Sequence, residues 1–228
     1  MKRFILVPCF IVVATVTTGS VLGDAWDPTA SFSNTSNPNG PWSYGWVNNS
    51  EFQPFVSNGL DGESVPTWYG PLTSIHFPGL FYPAIWLNTS SPAFGVQTGQ
   101  LALQPGPDGE ATVVQWTAPV GVSGLGNIQG QFLSGDAGIM QVGVFENGNW
   151  DSPLWSGTDS GAFNLFVPLT ASDTIDFAVY GSFYSGNTPL EATITVPVPE
   201  PSTFALLAFG AMGLVVVGWM RRSGRAER

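Results

Sequence analysis

Between Asp24 and Glu200 the chain has no lysine and no arginine, and that absence limits its fold more than any other feature. All six basic residues stand at the ends: Lys2 and Arg3 at one, Arg221, Arg222, Arg225 and Arg228 at the other. Fifteen of the sixteen acids lie in the interval, so it carries a charge near −15. It can form no Lys/Arg–carboxylate ion pair. Its stability must come from apolar burial, hydrogen bonds and any bound cation. A surface of this sign excludes nucleic acid as a partner, because phosphates need Lys and Arg to displace counterions. With 43% hydrophobic and 10% charged residues, the chain is no disordered acidic tail. Its 228 residues allow one domain plus targeting segments.

The ends read as targeting segments. Residues 1–23 have a basic start, Lys2-Arg3, an apolar run over 4–16 and small residues before Asp24. This is the layout of a secretory signal peptide, which implies the translocon and signal peptidase as partners. Cleavage fits after Gly23 or after Ala25. Cys9, the only cysteine, lies inside this segment, so its removal leaves a body without disulfide, thiolate metal site or cysteine nucleophile. Residues 203–220 are eighteen uncharged residues that span about 27 Å as a helix, enough to cross a bilayer with modest thinning. Trp219 suits an interfacial position, and the basic tail 221–228 marks the cytoplasmic side.

Before this helix, in the spacer 198–202, stands Pro199-Glu200-Pro201, and Arg221-Arg222 follows it. The order Pro-Glu-Pro, short apolar helix and terminal arginine cluster resembles the PEP-CTERM sorting signal. The resemblance implies an exosortase that cleaves near the Pro-Glu-Pro, export across the inner membrane of a Gram-negative-type cell, and an exopolysaccharide or biofilm setting. The protein would be single-pass with its C-terminus cytoplasmic before processing, then at the cell surface or outside.

The body, residues 24–197, reads as one all-β domain. Apolar residues alternate with period two at Ile128, Gly130 and Phe132, at Phe163, Leu165 and Val167, and at Ile175, Phe177 and Val179. Leu190, Ala192, Ile194 and Val196 continue the pattern. Further strands are expected over 42–47, 51–56, 84–88, 100–104, 111–117 and 139–146. Clusters of Gly, Pro, Asn, Asp and Ser separate them, and Asn147-Gly148 is the strongest signal for a tight type I′ hairpin. About nine strands at this spacing predict a β-sandwich of jelly-roll type, with an up-and-down barrel as the alternative. The succession Leu101…Pro105-Gly106, Val113-Val114-Gln115-Trp116, Val142-x-Val144-Phe145-x-Asn147-Gly148 and Asp173-x-Ile175-Asp176-Phe177 resembles a secreted module of bacterial surface proteins. That module is similar to lectin-like or carbohydrate-binding jelly rolls.

Candidate chemistry is sparse. The body has one histidine, His76, and no Gly-x-Ser-x-Gly elbow to complete a triad. A glycosidase needs two carboxyls about 5.5 Å or about 6.5–9.5 Å apart, and Asp61/Glu63, Asp108/Glu110 and Asp173/Asp176 are available pairs. Asn147, Asn149 and Asp151, at i, i+2 and i+4, offer oxygens at a spacing that suits calcium, although the full EF-hand pattern is absent. Exposed aromatics stack on the C–H faces of sugars, and Trp68, Tyr69 and Trp150 fall near turns. The expected function is a non-catalytic surface or matrix protein associated with exopolysaccharide. The alternative is a small secreted glycan hydrolase that uses paired carboxylates.

Overall fold

The computed structural model describes residues 23–60, 65–73 and 81–197, together with Gly210. Fourteen strands and no helix are found among the described residues of 23–197. The first seven are β1 (Asp24–Trp26), β2 (Trp42–Asn48), β3 (Glu51–Pro54), β4 (Ser57–Leu60), β5 (Pro66–Thr73), β6 (Phe81–Leu87) and β7 (Leu101–Gln104). The rest are β8 (Ala111–Thr117), β9 (Ser123–Phe132), β10 (Met140–Glu146), β11 (Trp155–Thr158), β12 (Gly161–Thr170), β13 (Thr174–Gly181) and β14 (Thr188–Val196).

Two sheets form. Sheet 1 runs β12-β9-β14-β7-β6-β5-β4, with β1 also paired to β14; sheet 2 runs β11-β10-β13-β8-β2-β3. The last eight strands pair as one long hairpin rolled over two layers: β7 with β14, β8 with β13, β9 with β12 and β10 with β11. That nesting of first with last is the jelly roll, the fold class the alternation predicts. The earlier strands widen it, β4–β6 beyond β7 in sheet 1 and β2–β3 beyond β8 in sheet 2.

The inward residues are those the period-two pattern selects. Ile128 and Phe132, Ile175, Phe177 and Val179, and Leu190, Ala192, Ile194 and Val196 are all buried between the sheets. Each fully buried side chain of this size contributes roughly 1.5–3 kcal/mol. Such burial supplies what ion pairs cannot supply in a body without cations. Two buried amides are satisfied internally: Gln104 Nε2 donates to the Phe183 carbonyl at 2.7 Å, and Asn88, fully buried, donates to the Val96 carbonyl at 2.9 Å.

Two details differ from the sequence expectation. Asn147 and Gly148 do form the type I′ turn, with φ of 51° and 65° and the Asn149 N–H donating to the Glu146 carbonyl at 2.9 Å. The tight hairpin does not follow, because β11 begins only at Trp155. The intervening loop instead folds back so that Trp150 packs on Phe145, ring centroids 4.3 Å apart. The strand count also exceeds nine: β1 and β11 are three and four residues long, and β5 (PTWYGPLT) carries two prolines and a glycine that mask its alternation.

Candidate functional site

The pleat that turns Ile128 and Phe132 inward turns Asn127, Gln129 and Gln131 of β9 outward. On either side, β12 presents Asn164 and Phe166, and β14 presents Glu191, Thr193 and Thr195. Register aligns them in rows: Asn164–Gln129–Thr193 is one row, and Phe166–Asn127–Thr195 the next. The outer face of sheet 1 thus carries amides, a carboxylate and hydroxyls side by side. A cleft of about 620 Å³ lies over the first row together with Gln131 and Glu191, lined on the β14 side by Asp27, Thr29, Gly99 and Gln100; the Phe166–Asn127–Thr195 row lies beside it.

Hydrogen bonds set the floor. Gln131 Nε2 donates to Glu191 Oε2 at 2.7 Å, and Asn127 Nδ2 donates to Asn164 Oδ1 at 2.7 Å. Asp27 closes the turn after β1: its Oδ1 accepts the Thr29 N–H at 2.7 Å and the Ala30 N–H at 3.1 Å. Gly130 holds the strands close, since a Cβ there would lie 2.1 Å from the Glu191 carbonyl oxygen. Beside the amide rows stands Phe166, 64% exposed on the edge strand, with Leu125 also exposed nearby. Amides offer both donors and acceptors, which matches sugar hydroxyls, each of which is both. An exposed ring next to them offers an apolar face for sugar C–H groups.

The aromatic residues singled out from sequence do not meet here. Trp68 is a correction: it is only 4% exposed, lies in the main core and donates from Nε1 to the Ser33 carbonyl at 2.6 Å. Its ring presents no face to solvent. The turn signals around it misled, because β5 runs inward at this residue. Tyr69, next in β5, points the other way, half-buried and stacked on the exposed Phe81 with centroids 5.4 Å apart. Trp150 sits with Phe52 and Tyr180 over an apolar cluster of Val47, Ala111, Val113, Phe145 and Ala178. These residues alternate with the core side chains of sheet 2, so Trp150 covers that sheet's outer face.

Asn147 turns toward the β12–β13 turn, where its Oδ1 accepts the Thr174 N–H at 2.8 Å and its Nδ2 donates to Asp173 Oδ1 at 3.2 Å. Asn149 and Asp151 are exposed on the loop that follows. Among the described residues no group of three or more His, Cys, Asp and Glu side chains is arranged to hold a metal ion.

Among the described members of the carboxylate pairs, Asp173, Asp176 and Glu110 serve the fold. Asp173 accepts the Thr170 N–H at 2.7 Å and the Thr170 hydroxyl at 2.8 Å, and these bonds, with the one from Asn147, hold its carboxyl below the usual range. Asp176 is 1% exposed beneath the 147–154 loop; burial pushes its pKa up to about 6, against hydrogen bonds from Gln115 and the Gly148 N–H. Glu110 is buried and accepts the Asp108 N–H at 3.0 Å. None of these four lines the cleft on sheet 1. His76, Asp61 and Glu63 lie outside the described residues, as do Pro199, Glu200, Pro201, Arg221 and Arg222. So do residues 1–22 and, Gly210 apart, 203–220; among the described residues no helix is long and apolar enough to cross a membrane.

Residues 197–222 match the PEP-CTERM protein-sorting motif. No curated protein is significantly similar to the chain. Among solved structures it is similar to a family 35 carbohydrate-binding module from Clostridium thermocellum, at 10% identity over 61% of this chain and 98% of that one, TM-score 0.32. It is also similar to CBM35 from Paenibacillus barcinonensis, at 10% identity over 76% and 98%, TM-score 0.29. A third is an exo-beta-1,3-galactanase from Phanerochaete chrysosporium, at 16% identity over 66% and 32%, TM-score 0.29. At scores of this size no functional reading rests on the structural likenesses.

Proposed function

We propose that this chain is a non-catalytic surface or extracellular-matrix protein that holds polysaccharide in the amide-lined groove of sheet 1. The sorting motif at 197–222 implies export and sorting by exosortase. The translocon and signal peptidase would act first on residues 1–23, and the Arg221-Arg222 end would stay cytoplasmic until exosortase acts. The natural setting is exopolysaccharide or biofilm outside the cell.

The observation that carries the binding role is the row Asn164–Gln129–Thr193 with the Gln131–Glu191 bond beside it. Strands fix these side chains at about 4.8 Å across the sheet and about 7 Å along it, so little order is lost when a sugar chain lies over them. Both groove carboxylates already spend an oxygen on the fold, Glu191 on Gln131 and Asp27 on its own turn, which favours holding a glycan over cutting it.

Affinity electrophoresis of the detergent-solubilised full chain through a panel of polysaccharides tests the proposal. Retardation by at least one polysaccharide is expected, and the double substitution Gln129→Ala with Asn164→Ala should abolish it while the circular dichroism spectrum is unchanged. Retardation that survives the double substitution would refute the groove. Release of new reducing ends from a retarding polysaccharide would make the protein a hydrolase instead.

A further inference from the structure

The groove's charge narrows its ligand. Among the described residues its ionisable lining groups are two carboxylates, Asp27 and Glu191. Each has one oxygen engaged by a neutral N–H donor, from Thr29 and Ala30 in one case and from Gln131 in the other. No lysine or arginine between residues 24 and 200 exists to neutralise either of them. Screening limits charge effects to about 8 Å at physiological ionic strength, so acids that line the groove outweigh any beyond that range. Asp27 Oδ2 and Glu191 Oε1 remain as acceptors for donors from a ligand.

We infer that the groove prefers a polysaccharide bearing protonated amino groups, such as a deacetylated amino-sugar polymer, over neutral chains, and disfavours polyanions. The inference rests on the groove reading above and adds the ligand's charge to it. A uronate or sulfate would meet two uncompensated carboxylates. A neutral hydroxyl would find acceptors but no Coulomb term. An ammonium finds both, and charge-assisted bonds of this kind are shorter and stronger than neutral ones. Glu191 is the residue expected to carry the preference, since Asp27 also caps a turn.

Two oligosaccharides of one length and backbone, a chito-oligosaccharide and its fully deacetylated form, differ at each amino group, an uncharged acetamide in one and an ammonium in the other, and make the probe; the salt dependence and the Glu191 variant isolate the charge. Calorimetric titration of the full chain at about pH 6, where most of the amines are protonated, should give at least about threefold tighter binding to the deacetylated form. Added salt should erode that margin. Glu191→Gln keeps an acceptor for Gln131 and should remove most of the margin between the two forms. Asp151→Asn, an exposed acid on the loop of the other sheet, should keep it, which separates a site effect from the chain's overall charge. Equal binding of the two forms, or a margin lost equally in both variants, would overturn the charge preference and leave the groove reading intact. Tighter binding of an alginate oligosaccharide than of either would also overturn it. Failure of the wild-type chain to bind any of the three, with no retardation by any polysaccharide, would bring down the groove reading as well.

Discussion

Asp24 and Val196 are Cα partners in the β1–β14 ladder, so the chain enters and leaves the sandwich side by side within sheet 1. On the side of β14 away from β9, two strands share it end to end: β7 takes residues 188–190 and β1 takes 194–196. The sorting motif begins at the very next residue, 197. Thr193 of the groove is three residues from Val196, about 10 Å along the strand, so a bound glycan would lie close to the start of the sorting motif.

Trp26 locks this junction. It pairs with Ile194, and its ring lies 5.2 Å from that of Trp116 in the core. Trp26→Ala removes a partly buried ring, and about 2 kcal/mol of stability should be lost. A denaturant midpoint that does not move would show that β1 is an ornament of the sheet.

Trp42 and Trp116 face one another across β2 and β8, and each buries its indole N–H without an acceptor among the described residues. Trp68 and Trp86, by contrast, donate to Ser33 O at 2.6 Å and Asn187 Oδ1 at 2.8 Å. An unsatisfied buried donor costs about 1–3 kcal/mol. Trp116→Phe deletes such a donor and offsets part of the cavity it creates, whereas Trp68→Phe orphans a carbonyl. The second change should therefore cost about 1–2 kcal/mol more than the first in equilibrium unfolding. Equal costs would mean that the Trp116 N–H has a partner after all.

Asp176 should make stability depend on pH with an unusual sign. Its folded pKa of about 6 lies above the ordinary value of 3.8, so the folded state keeps the proton through a window in which the unfolded chain has released it. Its contribution is complete below about pH 4 and lost as pH rises through about 6; two units correspond to at most about 3 kcal/mol. Asp176→Asn should flatten the unfolding free energy between these limits relative to the wild type. A profile of unchanged slope in the variant would assign the dependence to the other carboxylates.

How much of this was legible in the sequence follows from what alternation encodes. Period two names the inward residues, and Ile128, Phe132, Phe177 and Ile194 are buried as the pattern requires. It names outward residues just as well: Gln129, Gln131 and Asn164 occupy them, and their amides were the readable signal of the groove. What alternation leaves out is which strands are neighbours. Asn164 and Gln129 are 35 positions apart and meet only because β9 pairs with β12. Asp27 reaches the same cleft only because β1 returns to β14. Trp68 went the other way, since turn residues around it outweighed a strand too irregular to show its inward phase. Asn147 has a partner that local spacing does not reveal: its amide bonds the β12–β13 turn, distant in sequence.

Phe166 is the outward position that breaks the polar pattern, an aromatic ring 64% exposed in AFNLFVP where alternation calls for a polar residue. A ring that exposed adds little to folding, so Phe166→Ala should leave the unfolding midpoint nearly unchanged. Adjacent to the Asn164–Gln129 row, it is positioned to cover the apolar face of a sugar held by the amides. Loss of such a stacking contact, taken at about 1 kcal/mol by analogy with aromatic pairs, weakens binding roughly fivefold. Phe166→Tyr keeps the ring and should restore affinity, while Phe166→Leu keeps apolar area without a flat face and should not. If leucine serves as well as tyrosine, the residue is an apolar patch at the sheet edge and the sugar does not stack there.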